Sequence, residues 1–78
     1  MAYDFITHAK RIEEQLKLSG LSEAAERLID ARLGGATSGE ILTAMRFVLS
    51  NLISSGSIAG QIKADAVSLI AEINRSGI

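Results

Sequence analysis

Apolar residues recur along this chain at three- and four-residue intervals, the period of a helix that buries one face. Phe5, Ala9, Ile12 and Leu16 form the first stripe and predict a helix over residues 4–18, with Asp4 able to cap its start. Ser19-Gly20 closes it, because glycine enters the left-handed conformation behind a helix without a Cβ clash. Leu21-Ser22 opens a second helix, with Ser22 as the expected N-cap and Glu23 near the positive end of the helix dipole. Leu21, Ala25, Leu28, Ile29 and Arg32 share a face, and Gly34-Gly35 ends the segment. Glu23, Glu26, Arg27, Asp30 and Arg32 are expected on a charged outer side, which is either plain solvated surface or an acidic strip turned towards a partner.

Thr37-Ser38-Gly39-Glu40 matches a capping box, in which the threonine hydroxyl and the glutamate carboxylate satisfy each other's backbone donors. A third helix is expected from about Ser38 to Ser54. Ser54-Ser55-Gly56 breaks it, Ser57 is placed to cap again, and a fourth helix is expected from Ile58 to about Ser76. These readings give an all-α fold: a compact bundle of about four helices joined by short glycine- and serine-rich loops, one domain over residues 1–78.

The last two helices are unusually apolar. From Ile41 to Ile62 the only charged residue is Arg46. Ile41, Leu42, Ala44, Met45, Val48, Leu49, Leu52 and Ile53 cover about half the circumference of helix three, whereas a surface helix needs only an arc of about 100°. Leu49 and Ile62 are the expected centre of the core. Phe47 projects about 60° outside the apolar arc, among Thr43, Asn51 and Ser54. It either anchors a partner or lies beneath helix one or four. Helix four carries a core stripe of Ile58, Ile62, Ala66, Leu69 and Ile73. Its opposite side holds Gly60, Ala64, Val67 and Ala71, either smooth surface or a second contact face.

Composition narrows the picture. With 78 residues, 47 % hydrophobic and 22 % charged, the chain is a folded domain rather than a disordered segment. A chain of this length buries only roughly 60 % of its unfolded surface, so partner binding or self-association would add to a thin core. Cysteine is absent, which excludes disulfides and thiolate metal cages. A net charge of −1 supplies no broad basic field for nucleic acid or anionic lipid. The N-terminal segment has neither the form of a secretory signal nor that of a membrane span, so a cytoplasmic protein is expected, with no membrane partner.

No catalytic constellation emerges, and the chain is read as a non-enzyme without cofactor or metal. His8 and Asp4 lie one turn apart and make two ligands at most, short of what a zinc site requires. His8 is expected as a surface or half-buried helix residue. The serines sit at helix ends, where capping accounts for them. Glu13 and Glu14 are adjacent and so diverge on a helix. Gly34 to Gly39 has the glycine spacing of a phosphate loop, but Glu40 stands where that loop carries lysine. Leu52, Gly56 and Ile62 would frame a helix-turn-helix, yet its reading helix offers Gln61 and Lys63 beside Asp65, a poor match to a phosphate backbone. Nucleic-acid binding is therefore disfavoured.

The segment Asp30-Ala31-Arg32-Leu33-Gly34-Gly35-Ala36-Thr37-Ser38-Gly39-Glu40-Ile41-Leu42-Thr43-Ala44-Met45-Arg46-Phe47 resembles the central region of small helical immunity proteins of bacterial contact-dependent growth inhibition and related polymorphic toxin systems. The resemblance implies stoichiometric binding, in the cytoplasm, of a cognate toxin domain, often a nuclease. It does not say which residues touch that toxin. Physical reasoning nominates Phe47 and Arg46 as anchors with Asn51 beside them, and Glu23, Glu26 and Asp30 as residues that steer a basic partner. The competing reading is a structural module that self-associates through helices three and four.

Overall fold

The computed structural model describes residues 3–77. Four helices follow one another: α1 (Phe5–Leu18), α2 (Ser22–Gly34), α3 (Ser38–Ser54) and α4 (Gly60–Arg75). No strand occurs among the described residues. Each helix packs on the next, and α4 returns to α1 to close the bundle.

The ends of the helices show how local chemistry sets their lengths. Asp4 caps α1 by accepting from the Thr7 backbone N–H at 2.9 Å, while the Thr7 hydroxyl donates to its other oxygen at 2.6 Å. At the far end Gly20 takes φ +79°, letting its N–H reach the Lys17 carbonyl and the Leu21 N–H reach that of Leu16. The same turn recurs after α3, where Gly56 at φ +71° hands on to Ser57, whose N–H reaches the Leu52 carbonyl. The capping box at Thr37 and Glu40 is complete.

Two expected caps are not used. Leu21, not Ser22, occupies the N-cap of α2, because the turn at Gly20 delivers the chain directly into the helix and the Leu21 carbonyl accepts the first helical bond from Ala25. Ser57 does not cap α4. Its N–H is committed to closing α3 and its hydroxyl bonds Ser55, so α4 begins only at Gly60, with Ala59 at its N-cap.

The core is built from all four stripes. Ala9, Ile12 and Leu16 of α1, Ala25 and Leu28 of α2, Met45 and Leu49 of α3, and Ala66, Leu69 and Ile73 of α4 have no solvent exposure. Ile62, expected at the centre, is half-buried at the margin of this cluster. Arg32, expected on the outer side of α2, instead turns inward and pairs with Glu13 of α1. His8, expected at the surface or half-buried, is buried with 4 % exposure. No helix among the described residues is long and apolar enough to cross a membrane.

Candidate functional site

The interfaces of α3 with its neighbours use up most of its apolar arc, and what is left uncovered defines the candidate site. Leu42, Met45, Leu49 and Leu52 are buried, and Ile41, Val48 and Ile53 pack against the core from its margin. Phe47 is left out: 68 % of it faces solvent, and neither α1 nor α4 folds over it. It stands as a ridge between two depressions along the α2–α3 seam. On one side lies an apolar groove whose floor is made by Ala31, Gly39, Thr43 and Ala44, with Asp30 and Glu40 at its rim. On the other lies a more polar hollow lined by Arg27, Asn51, Ser55 and Ser57.

The groove exists because small residues meet there. Ala31 and Ala44 present only methyl groups, and Gly39 nothing, where α2 and the first turns of α3 diverge from the Gly34-Gly35 joint. Gly35 itself is pinned by close approach: a Cβ on it would lie 2.7 Å from the Ile41 side chain and 2.9 Å from the Ile41 nitrogen.

Of the residues nominated from sequence, Phe47, Asn51 and Asp30 come together along this seam. Glu23 and Glu26 are exposed on the same helix as Asp30. Glu23 borders a third hollow, where Leu21, Arg27, Leu52 and Ser57 bring the α1–α2 and α3–α4 joints together. Arg46 stands apart from Phe47. It leans the other way, to α4, where its Nη1 donates to Asn74 Oδ1 at 2.7 Å. Consecutive residues on a helix diverge by about 100°, so this separation follows from their spacing. Sequence reasoning missed Ala31, Thr43 and Ala44, since small residues on a helix read equally well as packing positions.

Charge is unevenly spread over the surface. Glu23, Glu26 and Asp30 are exposed along α2 with only Arg27 among them, and none of the four takes part in an ion pair among the described residues. The exposed side of α1 is the reverse, with Lys10, Arg11 and Lys17 against Glu14. The net charge of −1 thus conceals an acidic edge and a basic one.

His8 lies away from this seam, between α1 and α4. Tyr3 Oη contacts its Nδ1, and its Nε2 is buried with no hydrogen-bond partner. Burial, and then the charge of Arg11, hold its pKa below the ordinary histidine value, against the pull of Asp65 and Glu72. The Asp4 carboxylate is engaged with Thr7 rather than with the His8 imidazole. No group of three histidine or carboxylate side chains suited to a metal ion occurs among the described residues. Asp65 accepts a hydrogen bond from Gln61 Nε2 at 3.1 Å, which keeps an acid beside the start of α4.

The chain matches no protein-family model, no curated protein and no solved structure.

Proposed function

We propose that this chain is a protein-binding module that neutralises a cognate bacterial toxin domain, most simply a nuclease, by covering it stoichiometrically through the α2–α3 face. The observation that carries the reading is Phe47. A phenylalanine with 68 % exposure, on a helix whose other large apolar residues are buried or half-buried, costs solubility without contributing to the fold, and aromatic side chains of this kind are typical interface anchors. The unpaired acids of α2 complement a nucleic-acid-cleaving domain, whose cleft is basic, and would speed its capture. The segment that resembles immunity proteins, Asp30 to Phe47, is also the one that supplies most of the groove. In this reading the chain binds its partner and catalyses no reaction.

The test is purification of the tagged protein from the bacterium that encodes it, alongside Phe47→Ala. A nuclease-like polypeptide at equal stoichiometry, lost or weakened at least about tenfold by the substitution, is the expected result. A companion held equally by both forms would remove Phe47 and the α2–α3 face from the reading. A homo-oligomer without a companion would favour self-association through α3 and α4, where Ala64, Val67 and Ala71 lie exposed.

A further inference from the structure

We infer that the groove beside Phe47 receives a cationic amphipathic helix of the partner, its bulky apolar side chains entering over Ala31 and Ala44 and its lysines or arginines facing Asp30 and Glu26. The inference rests on the α2–α3 face being the binding face and adds the chemistry of what sits there.

Shape comes first. The groove runs between two helices, and its floor of Ala31, Gly39, Thr43 and Ala44 lacks large side chains, while Phe47 and Val48 close one end. From Gly39 to Phe47 the α3 backbone rises about 12 Å, room for two successive turns of a docked helix with apolar anchors three and four residues apart. The groove is broad and open, and apolar contact with its small residues suits leucine-sized side chains better than polar ones.

Charge then selects among occupants. Asp30 and Glu40 border the groove, and Glu26 lies one turn before Asp30 on the exposed side of α2. An acidic helix or a phosphate backbone would meet charges of its own sign. A second copy of this chain fits poorly. Its basic edge is α1, where the exposed bulky apolar residues Ile6 and Leu18 stand at opposite ends of the helix with Thr7, Lys10, Arg11, Glu14 and Lys17 between them, too far apart to form an apolar row over the floor. A foreign helix with lysine or arginine flanking an apolar stripe satisfies both demands.

The experiment titrates the isotope-labelled full chain with a helical peptide carrying leucines on one face and lysines on the others, and with the same peptide bearing glutamates in place of lysines. The lysine peptide should shift the amide signals of Ala31, Gly39, Thr43 and Ala44, saturating below about 1 mM, where even weak association registers. Thr43→Trp fills the groove from an exposed position and should weaken this binding at least about tenfold. Asp30→Lys should weaken it about threefold to tenfold. Val67→Arg, on the exposed side of α4, should change nothing. Circular dichroism of each variant checks that the bundle is intact. Equal binding of the glutamate peptide, shifts confined to α4, or no shift by about 1 mM would each overturn the inference. If the natural companion is nonetheless lost in Phe47→Ala, only the helical occupant is refuted and the binding face stands.

Discussion

Arg32 of α2 grips both carboxylate oxygens of Glu13 of α1, Nε donating at 2.8 Å and Nη2 at 3.0 Å. The side chains are only 14 % and 6 % exposed, so this fork is an internal strut between two helices rather than a surface pair. The hydrogen bonds it donates to Glu13 hold the guanidinium above its ordinary pKa. Its energetic meaning lies in an asymmetry: removing one member strands a buried charge, while removing both need not.

Arg32→Ala is therefore expected to cost about 3–5 kcal/mol, because Glu13 would be left buried without its partner. Replacing Glu13 and Arg32 together by leucine and methionine should cost far less or stabilise the bundle. Urea unfolding of the single and double variants checks both. A single variant within about 0.5 kcal/mol of the parent would show the pair to be idle.

His8 makes stability depend on pH in a defined direction. The unfolded chain takes up a proton near the ordinary value of 6.5, whereas burial and Arg11 keep the folded imidazole neutral to lower pH. Its contribution is fully present above 6.5 and is lost as pH falls from there to the depressed folded value. Asp4, held below 3.8 by Thr7, titrates beneath that window. The thermal midpoint should fall between about pH 7 and pH 5, and His8→Gln should flatten the slope. An unchanged slope in that variant would assign the effect elsewhere.

Phe47 and Leu49 are two residues apart on α3 and should behave oppositely. Phe47→Ala is expected to change stability by no more than about 0.5 kcal/mol while weakening partner binding. Leu49→Ala, with no exposure in the parent, should cost about 2–5 kcal/mol. Ile62→Ala, at the margin of the core, should fall nearer about 1–2 kcal/mol. Thermal melts with a binding assay separate the two classes. A drop in melting temperature of several degrees for Phe47→Ala would make it a packing residue.

The two glycines at the α2–α3 joint are not equivalent. A methyl group on Gly35 would press on the side chain and backbone of Ile41, so Gly35→Ala should destabilise by about 1–3 kcal/mol. Gly34 has open space around its Cβ position and ends a helix, so Gly34→Ala should stabilise by about 0.4–1 kcal/mol. Denaturation midpoints of the pair decide this, and equal effects would contradict the packing at Ile41.

Much of the fold was legible because helices announce themselves locally. The span of α3, its capping box and the glycine turns behind α1 and α3 depend on residues within a few positions of one another. Ser22 and Ser57 misled for an equally local reason. A serine after a glycine turn looks like a fresh cap, but the turn had already committed the Ser57 N–H to Leu52 and brought Leu21 to the N-cap of α2. Of the candidate site, the residues with strong character, Phe47 and the acids of α2, stood out in the sequence. The groove did not, since Ala31, Thr43 and Ala44 matter there only through what fails to cover them.

The order of apolar and polar residues determined four helices, their breaks and the stripes that meet in the core. These follow from helical period and from backbone groups that must be satisfied within a turn or so. Only the tertiary structure decided that Arg32 turns inward to Glu13, that His8 is buried, and that Arg46 meets Asn74 of α4 while Phe47 is left uncovered. Each of these depends on which helix lies across from which and at what angle. That choice is settled by the packing of side chains far apart in sequence, where local periodicity carries no information.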